Sequence, residues 1–334
     1  MGTLSTLSCK FDGYTQSAAI GDVIPLQFER TDAFTLSAWV KTTDGDGVIV
    51  GKQLSVSPYA GFVLAMSATK IHVELNNLVF SNAIVIDSNE TGNNDGLWNH
   101  IVMTYDGSST GSGVKLYKNG SEMPVSITLD ALTASILSTA SFQISSRPTD
   151  WYLASTIDEV SVYNIVISAN DVTNLYNFHD PPDLLVTGPT VNLVGYWKMG
   201  EGATFPTIPD VSGNVNNATL TNMVVADIVL DAPSGVIGTY LTSSAAKNLT
   251  YGSPADSMGQ VKSVSIAADL KQINPGAGGA SFIYKMRGID SLAGFVSWIA
   301  TIPDFAGTQI SNSVPSLSGT LVSGSVIQIS RILI

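Results

Sequence analysis

The chain of 334 residues has a single cysteine, Cys9. No internal disulfide and no thiolate metal cluster can therefore form, and stability must come from packing, from metals bound through oxygen, or from partner chains. Histidine is almost as scarce. His72, His100 and His179 share no i, i+2 or i, i+4 spacing, which excludes a compact zinc site of the usual kind. Basic residues are few, 15 against 27 acids, for a net charge of −12. With no Lys/Arg cluster, the chain offers nothing to attract a phosphate backbone, so nucleic acid is excluded as a partner. Long hydrophobic runs are missing too: Ala83–Ile86 and Val224–Leu230 fall far short of the ~20 residues of a membrane span, which excludes insertion. The opening residues, Met1 to Cys9, lack the basic start and apolar block of a secretory signal, so export by that route is not expected.

What is present is β-structure. Hydrophobic residues make up 44% of the chain and charged residues 13%, enough apolar material for two cores. Phe34, Leu36 and Ala38 alternate with Thr35, Ser37 and Trp39, the period of a strand with one buried face. His100–Tyr105 and Val114–Lys118 read as an antiparallel pair, and Asn119-Gly120 supplies the positive-φ dipeptide of a two-residue hairpin. Asp106–Gly113 between them is a polar loop. The one helix expected is Ser168–Asn177, with Ser168 as N-cap and Asp171 in the first turn. Asp180-Pro-Pro-Asp183 ends it and marks a boundary. Three parts follow: a sandwich over 1–180, a linker or extension over 181–237 carrying the strand Gly195-Tyr-Trp197, and a small β-domain over 238–334. The middle part either returns to complete the first sandwich or bridges to the second.

Four strings, Phe11-Asp-Gly13, Ala38-Trp-Val40, Trp98-Asn-His100 and Ile157-Asp-Glu-Val160, occur in the order found in laminin-G-like domains. Residues 8–177 thus resemble the concanavalin A/laminin-G jelly roll. The resemblance implies an all-β chain, a concanavalin A/laminin-G-like β-sandwich followed by a linker and a smaller β-sandwich domain. Downstream, Gly195-Tyr-Trp-Lys-Met-Gly-Glu-Gly202 followed by a small β-domain is similar to structural proteins of tailed bacteriophages.

Chemistry is harder to find. A glucanase of this fold needs paired carboxylates on one strand, about 5 Å apart for a retaining mechanism. The six glutamates are dispersed, and the tight pair Asp158-Glu159 should point to opposite sheet faces. Gly107-Ser-Ser-Thr-Gly111 imitates a nucleophile elbow but sits in a hairpin loop, and Gly47–Gln53 imitates a phosphate loop but ends without a hydroxyl residue. No catalytic residue is expected, and the chain is read as a non-enzyme. His100 reads as a packing residue with an internal hydrogen bond. Calcium is the one metal the resemblance implies, with Asp12 and Asp158 at matching positions; the alternative is that Asp12 makes a turn and Asp158 caps a strand end. For a glycan, Trp151 and Tyr152 beside Asp150 are the best candidates, although strand alternation would allow only one of the two rings to face outward.

The final strand, Val326–Ile334, ends in Ile332, Leu333 and Ile334, an apolar edge that calls for cover and so suggests assembly with copies of the chain or with other proteins. Together these readings favour a virion structural protein, a tail or capsid appendage that contacts other virion proteins and also aids attachment to a host-surface glycan. The alternative is a carbohydrate-binding, lectin-like module or adhesin acting extracellularly or at a cell surface.

Overall fold

The structure is a computed structural model; it describes residues 5–177, 181–185 and 188–233, and six further strands after them. The chain divides into two compact units, Met1–Ser234 and Gly235–Ile334.

The first unit contains β1 (Ser8–Asp12), β2 (Ser17–Gly21), β3 (Phe34–Thr42), β4 (Gly47–Gln53), β5 (Gly61–Ser67), β6 (Lys70–Leu78), β7 (Asn82–Ser88), β8 (Trp98–Tyr105), β9 (Val114–Lys118), β10 (Ser121–Met123), β11 (Val125–Asp130), β12 (Phe142–Ile144) and β13 (Ala154–Tyr163). These are followed by α1 (Ala169–Tyr176), β14 (Leu193–Trp197), β15 (Thr207–Ile208), β16 (Ala218–Thr221) and β17 (Ile228–Val229). Two sheets result. The first runs β10-β9-β8-β3-β13-β1-β17, with β14 also on β13; the second runs β11-β7-β6-β5-β4-β12-β2-β16-β15. Every pairing in them is antiparallel.

The period-2 patterns place one continuous core between the sheets. Phe34, Leu36, Ala38 and Val40 of β3 meet Phe62, Leu64 and Met66 of β5 and Ile71, Val73 and Leu75 of β6. Phe28, Phe34 and Phe62 cluster at its centre, the first two stacked at 4.6 Å. Asn119 and Gly120, with φ of 51° and 80°, close the β9–β10 hairpin as their residue types require. The outer face of the first sheet is covered by α1, whose Val172 and Leu175 pack on Val102, Tyr117 and Tyr163. Ser168 Oγ accepts from the Asp171 amide at 3.1 Å, while Asp171 accepts from the Ser168 amide at 3.2 Å, completing a capping box. Ser168→Ala is expected to lower stability by about 1 kcal/mol, read as a lower urea midpoint at an unchanged slope.

The middle segment does not act as a linker. β14 pairs with Val160–Tyr163 of β13, β16 pairs with β2, and β17 pairs with β1. Trp197, Met199, Ile208, Ala218 and Leu220 lie in the main core, so the boundary read at Asp180–Asp183 is a crossing internal to the first unit. β1 and β14 occupy the same edge of β13 in series, one against Ala154–Ile157 and the other against Val160–Tyr163.

In the second unit, β18 (Leu249–Tyr251), β19 (Val264–Asp269), β20 (Ala280–Arg287), β21 (Val296–Ile302), β22 (Gln309–Ser313) and β23 (Val326–Ile332) form two sheets, β18-β19-β22 and β21-β20-β23. Ile332 ends β23 and pairs with Ser281; Leu333 and Ile334 lie outside the described residues.

Candidate functional site

With α1 on the first sheet, the outer face of the second sheet is where polar side chains gather. On β6 the core takes Ile71, Val73 and Leu75, so alternation sends His72, Glu74 and Asn76 to the other face. Asp87 of β7 lies directly opposite His72 in register. His72 Nδ1 meets Asp87 Oδ1 at 2.7 Å and Nε2 meets Glu74 Oε1 at 3.2 Å. Burial alone would push the His72 pKa down, but hydrogen bonds to the two carboxylates and their charges outweigh it and raise the value to about 9. The imidazolium in turn holds both acids low: burial opposes the change in Glu74, and the His72 hydrogen bond leads it in Asp87. Gln53 and Asn76 donate to Glu74 Oε2 at 2.8 and 2.6 Å.

The loop from Ser145 to Leu153 lies on this network. Arg147 forks onto Asp150, Nε to Oδ1 and Nη2 to Oδ2 at 2.8 Å each, and donates from Nη1 to Gln53 Oε1 at 3.0 Å. Its guanidinium sits over the rings of Tyr59, at 5.0 Å, and Trp151, at 4.9 Å. Trp151 packs against Val48, Val63 and Ala65, lies edge-on to His72 at 6.0 Å and donates from Nε1 to Asp46 Oδ1 at 3.1 Å. A shelf of one indole, one tyrosine and several carboxylates results, with Trp151, Tyr59 and Asp150 partly open to solvent.

Two candidates from the sequence, Trp151 and Asp150, stand in this shelf. Trp151 does not obey strand alternation, because it precedes β13 in a left-handed conformation with φ of 53°. Neither ring enters the main core: both Trp151 and Tyr152 are half-buried. Tyr59, Arg147, His72, Glu74 and Asp87 escaped the sequence reading because they come from separate strands and loops. The usable signal was polar residues at alternate positions of an otherwise apolar strand, His72-x-Glu74-x-Asn76.

Asp12 and Asp158 are not brought together. Asp12 lies opposite Ala154, and Asp158 lies four residues further along β13, opposite Trp39. Asp12 Oδ1 accepts from the amides of Tyr14, Thr15 and Gln16 at 2.8 to 3.1 Å, a turn cap that leaves it no role beside Asp158. The donor set does not fit a shared calcium, and among the described residues no group of three or more His, Cys, Asp or Glu is arranged to hold a metal.

Asp158 and Glu159 correct a second expectation. Ile157 and Val160 both face the core, and the register shifts between Asp158 and Ser161. Glu159 has φ of 48°. This bulge puts both acids on the outer side of the first sheet, at the junction of β1 and β14. Asp158 accepts from Ser5 Oγ at 2.8 Å, Glu159 accepts from the Tyr196 hydroxyl, and Glu201 takes Ser5 Oγ at 2.9 Å and the Leu7 amide at 2.7 Å. Burial pushes both bulge acids up, Glu159 to about 7, and in Asp158 the neighbouring Glu159 charge adds to the effect. His100 is buried on the same sheet face, meeting Ser37 Oγ at 2.8 Å and stacking on Trp39.

One family match agrees with the architecture. The family model of the Concanavalin A-like lectin/glucanases superfamily matches residues 12–173. No curated protein sequence matches the chain. Among solved structures, the chain is similar to a candidate carbohydrate binding protein from Bacteroides ovatus ATCC 8483, with 18% identity over 70% of this chain and a TM-score of 0.46. It spans 62% of that protein's length. A heptameric SAP-like pentraxin from Limulus polyphemus matches at 12% identity over 53% of this chain and 84% of its own, with a TM-score of 0.39. The CBM40 of a Ruminococcus gnavus IT-sialidase, bound to α2,3-sialyllactose, matches at 15% identity over 52% of this chain and all of its own, with a TM-score of 0.38. The two antiparallel sheets of the first unit form an all-β jelly-roll sandwich that matches the concanavalin A-like fold, with the family match over residues 12–173.

Proposed function

We propose that this chain is a non-enzymatic, lectin-like protein that binds carbohydrate on the outer face of its second sheet, outside a cell or at a surface. The observation that carries the reading is the partly open Trp151 ring, fixed by Arg147 and Asp46 and flanked by Tyr59 and Asp150. Sugar C–H groups pack on the part of the indole that Arg147 and the packing on Val48, Val63 and Ala65 leave open, while sugar hydroxyls donate to nearby carboxylates, and preorganised groups lower the cost of binding. The family of the first unit includes lectins, which supports the same reading.

Catalysis is disfavoured by the same geometry. A glycosidase needs one carboxylic acid with a raised pKa as proton donor. Glu74 and Asp87 are both held low by His72, and the pair that is raised, Asp158 and Glu159, lies buried on the other sheet. The virion reading loses its separate support, because Gly195–Gly202 supplies β14 and the residues after it to the first sandwich. Retention of the full chain on a panel of immobilised neutral and acidic polysaccharides tests the proposal. Trp151→Ala is expected to weaken retention at least tenfold while the chain stays folded, with a melting temperature lowered by the lost packing on Val48, Val63 and Ala65. Equal retention by the variant would refute the site.

A further inference from the structure

Resting on the glycan reading of the Trp151 shelf, we infer that the site selects uncharged sugars and rejects those carrying a carboxylate. Four carboxylates, Asp46, Glu74, Asp87 and Asp150, stand around the shelf against Arg147 and His72, with the Lys70 charge near Asp87. Arg147 and His72 are committed within the protein, and the Lys70 charge is set against Asp87. Arg147 spends Nε and Nη2 on Asp150 and Nη1 on Gln53, and both faces of its plane are engaged by Tyr59 and Trp151. The fork that recognises a carboxylate bidentately is thus closed by a residue of the same loop. His72 commits its two ring nitrogens to Asp87 and Glu74.

What remains open has the opposite polarity. The Asp150 side chain is 42% exposed and Asp46 is exposed, so their unused lone pairs face water beside the indole. Sugar hydroxyls are donors and suit such acceptors; a sugar carboxylate would bring a third negative charge to these two with no uncommitted donor fork to offset it. The chain's net charge of −12 adds long-range repulsion of the same sign.

The test uses the full chain and matched probe pairs that differ in charge: lactose against 3′-sialyllactose, and highly methyl-esterified pectin against polygalacturonate. Affinities are measured by calorimetry or affinity electrophoresis at low and high salt. In every pair that binds, the neutral member is expected to bind at least tenfold tighter, with the gap narrowing as salt screens the carboxylates. In Asp46→Asn/Asp150→Asn, which keeps the oxygen acceptors but removes two charges, the gap should narrow at low salt as well. Equal or tighter binding of an acidic member by the wild-type chain overturns the selectivity while leaving glycan binding intact. A gap insensitive to both salt and the double substitution overturns its electrostatic origin. If no wide panel of neutral and acidic glycans binds at all, the glycan reading itself fails and this inference falls with it. Should the double variant be poorly folded, the salt dependence of the wild-type chain decides the question alone.

Discussion

A chain ended at residue 180 is expected to lose cooperative folding, whereas one ended at residue 234 should melt in a single sharp transition. The shorter chain would lack β14 to β17, and with them Trp197, Met199, Ile208, Ala218, Leu220 and Met223 from the main core and Leu193 and Tyr196 from the cluster under α1. Large buried side chains contribute roughly 1.5 to 3 kcal/mol each, so removing this set takes away about as much as the roughly 5 to 15 kcal/mol that holds a typical domain folded. It would also strip one edge from β13 and from β2, leaving unpaired backbone on strands that are otherwise interior. Trp197→Ala is the point version. The indole is fully buried, stacks on Phe142 at 5.9 Å and donates to the Asn216 carbonyl at 2.9 Å, so its loss should cost roughly 3 to 5 kcal/mol. Calorimetry of the two truncations decides the matter. A sharp, fully reversible transition for residues 1–180 would show that the later strands are an accessory and not part of the fold.

That boundary also shows what a linear reading reaches and what it misses. Phe34–Lys41, His100–Tyr105 and Val114–Lys118 were legible because a strand with one buried face writes its period locally, and Ser168 with Asp171 because a capping box spans only three residues. The return of Leu193–Trp197 was legible only as one of two alternatives, because pairing between β13 and β14 depends on which sheet edge is vacant, and no local pattern records that. Pro181-Pro-Asp183 carries no regular structure yet does not end the unit, since prolines forbid a helix but not a crossing. The bulge at Asp158-Glu159 brought onto one face a pair expected on opposite faces, because alternation holds only while register is kept. At the shelf, Trp151 and Asp150 could be picked out as an aromatic beside an acid. Their support from Arg147, Gln53, Glu74 and His72 is assembled from β4, β6 and a loop, which only the fold makes neighbours.

Stability is expected to be greatest near pH 5 and to fall steadily toward pH 9, in two stages with separate causes. Glu159 carries an ordinary value of 4.5 in the unfolded chain and about 7 in the fold, where it is buried and accepts from the Tyr196 hydroxyl. The native state therefore binds more protons than the unfolded state between those values, and by linkage stability declines as pH rises through that window. Asp158, raised by burial beside Glu159, acts in the same direction. Geometry gives an independent reason for a proton here. Ser5 Oγ stands 2.8 Å from Asp158 Oδ2, 2.9 Å from Glu201 Oε2 and 3.2 Å from the Leu7 carbonyl, yet a hydroxyl donates once. A second of these contacts is satisfied when one of the carboxyls carries a proton and donates to Ser5. The next stage belongs to His72. Its value rises from 6.5 to about 9 on folding, so its stabilisation is complete below pH 6.5 and disappears as pH passes 9. Each stage is worth on the order of a few kcal/mol, since one pH unit of displacement corresponds to about 1.4 kcal/mol. Below about pH 4 the sign reverses, because Glu74 and Asp87, held low by His72, must then take up protons. Substitution separates the stages. Glu159→Gln keeps an oxygen acceptor for Tyr196 without the buried charge, so it should match the wild type near pH 5, exceed it at pH 8 and flatten the lower limb. His72→Gln should be less stable at every pH below 8, where it leaves Glu74 and Asp87 facing each other without the cation, and should lose the upper limb. Urea midpoints at half-unit steps from pH 4 to pH 10 measure both. A stability profile that is level from pH 5 to pH 9, or a Glu159→Gln variant weaker than the wild type at pH 8, would mean that Glu159 is ionised in its pocket, held there by the Tyr196 hydroxyl and by the charge of Lys198, which acts against burial.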